Sequence, residues 1–207
     1  KISPKNILFV GGAGAGKTTL LNSMVPFIRG SDRIITIEDT SELNLLGREN
    51  YVSMESKPKT LTSVEVTMDD LLKNALRMRP DRIIVGEVRH AEAFTLFTAM
   101  NTGHDGSMGT VHSNSAQETI VRVTNPPMNV PMMMLSGLDI ILVEHRLHDR
   151  KKGTIRRIVE IAEVTGVLEG RTQTQKIYEW DARTDNIERT GIPSIYLKEL
   201  STLSGLS

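Results

Sequence analysis

The stretch GGAGAGKTT, residues 11–19, follows the apolar run ILFV (residues 7–10) and precedes LLNSMV (residues 20–25). Glycine at 11, then four residues, then Gly16, Lys17 and Thr18 is the spacing of a phosphate-binding loop, in the strand-to-helix setting that such a loop requires. Glycines let the backbone turn tightly enough for its N–H groups to converge on an anion, and the helix that follows adds its positive dipole end. On this reading Gly12, Ala13, Gly14, Ala15, Gly16, Lys17, Thr18 and Thr19 form a nucleotide site. Lys17 reaches the β- and γ-phosphates of ATP and the Thr18 hydroxyl ligates Mg²⁺. A glycine-rich turn serving only as a connection would not need all the specified positions and both flanks to agree.

Working outward, short apolar runs alternate with helical patterns. RIITI (33–37) ends on Glu38 and Asp39, NYVSMES is a weaker strand, and Thr67 with Asp70 marks a helix start before Leu71, Leu72, Ala75 and Leu76. Pro80 stops that helix. RIIVGE (82–87) is a buried strand ending on Glu87, and the next helix should turn Phe94 and Phe97 to the core and end at Gly103. SMGTV (107–111) is a strand, Ser115 with Glu118 is a capping box, and a helix follows that ends before Pro126-Pro127. DIILV (139–143) is another buried strand. Such alternation predicts an α/β fold with a parallel sheet covered by helices on both faces. Past residue 144, strand-like runs separated by Gly, Asp and Asn predict an antiparallel β extension over 145–207, attached to a core of 1–144.

In an open parallel sheet, ligands gather at the carboxyl ends of the strands. The glycine loop, Glu38 and Glu87 all occupy predicted carboxyl ends. Either glutamate suits the positioning of a water or a metal, because phosphoryl transfer is mostly positioning and charge stabilisation. Asp39, ahead of Thr40 and Ser41, fits a turn equally well. Gly86 stands where the usual magnesium-site strand carries Asp, which questions a direct metal bond from Glu87. His104 and His112 flank the SMGTV strand, and His112 is the better placed to sense a γ-phosphate. Arg77, Arg79 and Arg89 bracket the RIIVGE strand, with Arg89 the best candidate for charge stabilisation.

Composition narrows the alternatives. Among 207 residues, 25 basic and 25 acidic side chains cancel, which removes a global electrostatic case for nucleic acid. Cysteine is absent, so there is no thiolate zinc site and no disulfide framework. No apolar run approaches the length of a membrane span, and the first residues do not form a signal peptide. The cluster His145, Arg146, His148, Arg150, Lys151, Lys152, Arg156 and Arg157 fits a solvated hairpin, or a face that docks an acidic membrane platform. The PMNVPMMML run fits core packing.

GGAGAGKTT, TIEDTSEL, LRMRPDRIIVGEVR and TGHDGSMGTVHSNSA, in this order, resemble the phosphate loop, Asp box, Walker B and His box of the type II/IV secretion ATPase superfamily, closest to its archaeal branch. The resemblance spans residues 11–116. It implies a RecA-like P-loop NTPase and a hexameric homo-oligomeric ring that hydrolyses ATP with Mg²⁺. Such a motor would power protein secretion, pilus or archaellum assembly, or conjugative DNA transfer, from the inner face of the cytoplasmic membrane. It also implies that Glu38 positions water, that Glu87 is the Walker B glutamate, with Thr18 a metal ligand, that His112 stands near the γ-phosphate, and that Gly before that glutamate is a family trait. The family's N-terminal domain, which carries arginines completing a neighbouring site, is expected to be absent from this chain. Two other readings compete: a nucleotide-gated scaffold with little turnover, which the presence of both carboxylates disfavours, and a DNA-translocating motor. Aromatics at 4% and the absence of a basic stacking loop rank the latter last.

Overall fold

The computed structural model describes residues 4–45, 47–168 and 171–197. The end of the predicted extension, residues 198–207, lies outside the described residues. In chain order the elements are β1 (Ile7–Val10), α1 (Lys17–Met24), β2 (Ile34–Glu38), β3 (Tyr51–Glu55), α2 (Met68–Ala75), β4 (Arg82–Val85), α3 (Glu92–Asn101), β5 (Met108–Val111), α4 (Ala116–Thr124), β6 (Ile140–Asp149), β7 (Gly153–Leu168), β8 (Arg171–Asp181) and β9 (Asn186–Arg189).

The strands form one sheet in the order β3-β2-β4-β5-β1-β6-β7-β8-β9. From β3 to β6 the neighbours are parallel, and from β6 to β9 they are antiparallel. The parallel sheet and its antiparallel tail are thus the predicted architecture. β6 carries the sheet across residue 144 without a break, with a bulge between Val143 and Glu144. Such a bulge bends the strand and re-aims side chains, here beside the glycine loop.

Strand residues alternate between two cores because successive side chains point to opposite faces. Leu8, Val10, Ile35, Ile37, Ile83 and Val85 pack with Leu72, Leu96, Phe97 and Ile120 from α2, α3 and α4. Phe9, Ile34, Ile84 and Leu142 pack on the other side with Leu21 of α1 and with Val25 and Ile28. Full burial of each such side chain is worth roughly 1.5–3 kcal/mol, so the two cores hold the central strands rigidly and fix where their carboxyl ends stand.

Several local expectations change. Phe97 is fully buried but Phe94 is 47% exposed. The inward stripe of α3 is Ala93, Leu96, Phe97 and Met100, at the i, i+3, i+4, i+7 spacing of a single helix face, and Phe94 falls outside it. At α2 the capping box is complete, with Thr67 Oγ1 accepting from Asp70 N and Asp70 accepting from Thr67 N, both at 3.1 Å. At α4 only half forms: Ser115 Oγ accepts from Glu118 N, while the Glu118 carboxylate turns one residue further upstream to Asn114 N. The α2 helix ends at Ala75 and continues as a 3-10 turn over Leu76–Met78, leaving through Arg79 in the left-handed region (φ 54°) before Pro80. The proline disfavours the right-handed helical region for its predecessor and so ends the helix, but the left-handed conformation of Arg79 is not the extended one that rule favours.

Candidate active site

The glycine loop is built against β6. A Cβ on Gly11 would lie 2.2 Å from the carbonyl oxygen of Glu144, so the chain can leave β1 here only as glycine. Gly16 precedes α1 with φ 112°, and a Cβ there would meet Glu144 Oε1 at 2.8 Å and Arg156 Cδ at 3.0 Å. Lys17 is buried and folds back on the loop, its Nζ donating to the carbonyls of Gly11 (3.0 Å) and Gly12 (3.2 Å). Burial lowers its pKa, against the opposing pull of Glu87 and Glu144. An ammonium already held by two neutral carbonyls in a partly desolvated position is poised to exchange them for phosphate oxygens.

Glu38 closes β2 and is almost fully buried. Its Oε1 accepts from the amides of Glu42 and Leu43, both at 3.0 Å, while Oε2 is buried without a partner among the described residues. Burial raises its pKa, outweighing those two amide bonds, which pull it down. An orphaned buried carboxylate oxygen needs a donor or a cation to offset its desolvation. Gly86 explains itself here: a Cβ would come within 2.8 Å of Glu38 Cγ. Glycine in the position where Asp was considered is therefore the room that the Glu38 side chain occupies. Gly86→Ala is expected to cost about 1–3 kcal/mol through overpacking, read as a lower melting temperature. An unchanged melt would show that Glu38 moves aside at no cost.

Glu87 stands beyond β4, and its Oε2 accepts a short hydrogen bond from Arg89 Nη2. His112 Nε2 approaches Oε1 to 2.9 Å, without the alignment of a hydrogen bond to that oxygen. Burial alone would raise the Glu87 pKa; the Arg89 hydrogen bond and the charges of His112, Arg89 and Lys17 together hold it below the usual carboxylate range. For His112 the direction is also down, from burial first and then from Lys17, with Glu87 pulling the other way. Near neutral pH the site therefore holds a carboxylate facing a neutral imidazole. Arg89 is positioned by Glu92, whose Oε1 accepts from the amides of Arg89 (2.5 Å) and His90 (2.7 Å).

Thr18, Glu38, Asp39, Glu42, Glu87 and Arg89 line one cavity of about 230 Å³ at the carboxyl ends of β2 and β4. Four carboxylates face one guanidinium there. Among the described residues no three His, Asp or Glu side chains converge to hold a metal by themselves. The donor set suits Mg²⁺ in its usual form, bound by few protein oxygens together with substrate phosphates and water. Arg77 and Arg79 precede β4 and so lie at the opposite end of the strand from Glu87.

Sequence reasoning missed one wall of the site. The basic cluster after residue 144 does not act as one solvated patch. Arg157 and Lys152 pair with Asp185 in the tail, whereas Arg156 Nε donates to the Gly14 carbonyl at 2.9 Å. Arg146 Nη1 lies 3.4 Å from where a Gly14 Cβ would be. Glu144 is buried under the loop with Oε2 unpartnered among the described residues. Burial raises its pKa, with Arg156 and Lys17 opposing. No local pattern marks these three, because their role depends on which strand lies beside the loop.

The profile of the type II/IV secretion system proteins matches residues 2–189. An uncharacterized protein of Methanocaldococcus jannaschii, MJ1287, is 38% identical across 100% of this chain and 76% of its own length. The conjugal transfer protein TrbB of Rhizobium radiobacter is 37% identical over 84% of this chain and 52% of TrbB. Among solved structures, the VirB11 ATPase of the Brucella suis type IV secretion system, in complex with sulphate, matches with a TM-score of 0.64 and 32% identity, covering 76% of this chain and 47% of that one. The chain thus spans about half the length of TrbB and of that VirB11. With nearly all of its length matched by the family profile, the chain belongs to the type II/IV secretion system protein family, a family of secretion and conjugation ATPases.

Proposed function

We propose that this chain binds ATP at Gly12–Thr19 and hydrolyses it, as the catalytic part of a homo-oligomeric, hexameric ring motor at the cytoplasmic face of a membrane platform, driving protein secretion or pilus or archaellum assembly. The supporting observation is the convergence of Lys17, Thr18, Glu38, Glu87, His112 and Arg89, drawn from four separate strand ends, around the glycine loop and its adjoining cavity. Thr18 and Glu87 would hold Mg²⁺, which when bound neutralises phosphate charge and orients the β- and γ-oxygens. Lys17 binds the phosphates. Glu38, anchored through one oxygen, orients a water through the other; Glu87 supplies the fixed negative charge beside it, kept ionised by Arg89 at one oxygen while His112 faces the other. A second reading, a conjugation-type DNA-transfer ATPase, is favoured by the similarity to TrbB.

Phosphate release from ATP by the full chain, with Mg²⁺ and with excess EDTA, tests the reading: turnover with the metal and none without is expected. Glu38→Gln should keep ATP binding and lose at least ~10²-fold in turnover. Wild-type turnover below that of the variant, or equal to it, would favour a scaffold. The variant has a second signature. Because the Glu38 pKa is raised on folding, its contribution to stability is full below the ordinary value of 4.5 and is lost as pH rises through the folded value. Glu38→Gln should therefore flatten the fall in melting temperature over that window.

A further inference from the structure

We infer that Arg146 contacts the phosphate tail of the bound nucleotide from within the same chain, with Arg156 as the positioning residue that shapes the loop beneath it. The inference rests on the nucleotide-binding reading of the loop. Arg146 on β6 and Arg156 on β7 are direct cross-strand partners. Like charges directly opposed across an antiparallel pair destabilise it, so the arrangement calls for an anion that the protein alone does not provide. The next residues along show the contrast. Arg157, on the other face of β7, has Asp185 as a counter-ion, which it shares with Lys152. On the loop side, Arg156 donates to the Gly14 carbonyl and has Glu144 in its field. The Arg146 side chain has no hydrogen bond or ion pair among the described residues, is exposed, and stands over Gly14.

The other cations near the loop are engaged. Lys17 is held by two loop carbonyls and Arg89 by Glu87. Arg146 is thus the guanidinium with all its donors available where several phosphate charges would arrive. Its fork matches phosphate oxygens in bidentate geometry. Arg156, by holding the Gly14 carbonyl outward, fixes the crown of the loop beneath that fork. A nucleoside polyphosphate is the ligand class, recognised here through its phosphates and not through its base.

The test compares binding of ATP and of inorganic tripolyphosphate to the full chain, to Arg146→Ala, to Arg146→Lys and to Lys17→Ala, with the melting temperature of each unliganded form. Arg146→Ala should bind both ligands roughly 10-fold or more weakly, Arg146→Lys should recover part of the loss, and the unliganded Arg146→Ala should melt no lower than wild type, since one of two opposed charges is gone. If ATP weakens while tripolyphosphate does not, the arginine meets the base and the inference is overturned. Wild-type affinity in Arg146→Ala, alongside loss in Lys17→Ala, overturns this inference and leaves the nucleotide site standing. A lower unliganded melt with unaltered affinities makes Arg146 structural. Absence of any ATP binding by wild type overturns both readings together.

Discussion

Lys17→Ala is expected to weaken ATP binding by about two orders of magnitude or more, with hydrolysis falling alongside it. Nζ is buried and touches only the carbonyls of Gly11 and Gly12 among the described groups. Both are neutral acceptors, and both can be given up to a phosphate that carries charge. Truncating one partner of a desolvated, hydrogen-bonded charge pair costs about 2–5 kcal/mol, and each 1.4 kcal/mol is tenfold in affinity. The variant also leaves two loop carbonyls without their donor, so some loss of unliganded stability is expected, on the order of 1–3 kcal/mol. Calorimetric titration with ATP, paired with a melt of the unliganded protein, separates the two effects. Lys17→Met, which keeps much of the apolar stem, should match alanine in affinity loss while melting higher. Unaltered ATP affinity in both variants would mean that the loop is a connection and not a phosphate site.

Lys17 was legible because everything that defines it is local: a strand, six residues of turn, and a helix, all within eighteen positions of sequence. The same holds for the strand-end carboxylates, since a buried β-branched run ending on Glu38 or Glu87 needs no partner to be recognised. What escaped the sequence was set by contacts between distant segments. Arg156 reaches Gly14 across 142 residues, and the pairing of β1 with β6 that brings the β6–β7 hairpin to the loop leaves no periodic trace in either strand. The use of Gly86 belongs to the same class. Its cause is a side chain from β2, so glycine there read as a missing aspartate and not as space for Glu38. Phe94 failed for a different reason: two aromatics three apart suggest one face, but the stripe through Ala93, Leu96, Phe97 and Met100 is wide enough for only one of them.

Glu87→Gln should do the reverse of Lys17→Ala, abolishing turnover while preserving ATP binding. The carboxylate is held below its usual range although burial opposes that, which shows how strongly Arg89, His112 and Lys17 favour the anion. Glutamine keeps the size and one acceptor for Arg89 and removes the charge. The loss falls on whatever step needs a fixed negative charge beside the cavity, and removal of a positioned acid–base group typically costs 10²–10⁴-fold in rate. Ground-state binding of the metal-free nucleotide is spared for an electrostatic reason. Glu87 lies in the field of Lys17 and opposes the arrival of phosphate, so its neutralisation should leave the affinity for ATP measured in EDTA equal or higher. Single-turnover hydrolysis and equilibrium binding on the same preparation provide both numbers, and because wild-type Glu87 stays ionised into the acid range, the ratio of the two rates should hold nearly constant from neutral pH down to the point where that carboxylate takes a proton. Turnover equal to wild type would remove Glu87 from the chemistry. Loss of ATP binding together with a lower melt would instead make its contacts with Arg89 and His112 a scaffold for the β4–α3 connection, and the charge that drives hydrolysis would then have to come from Glu38.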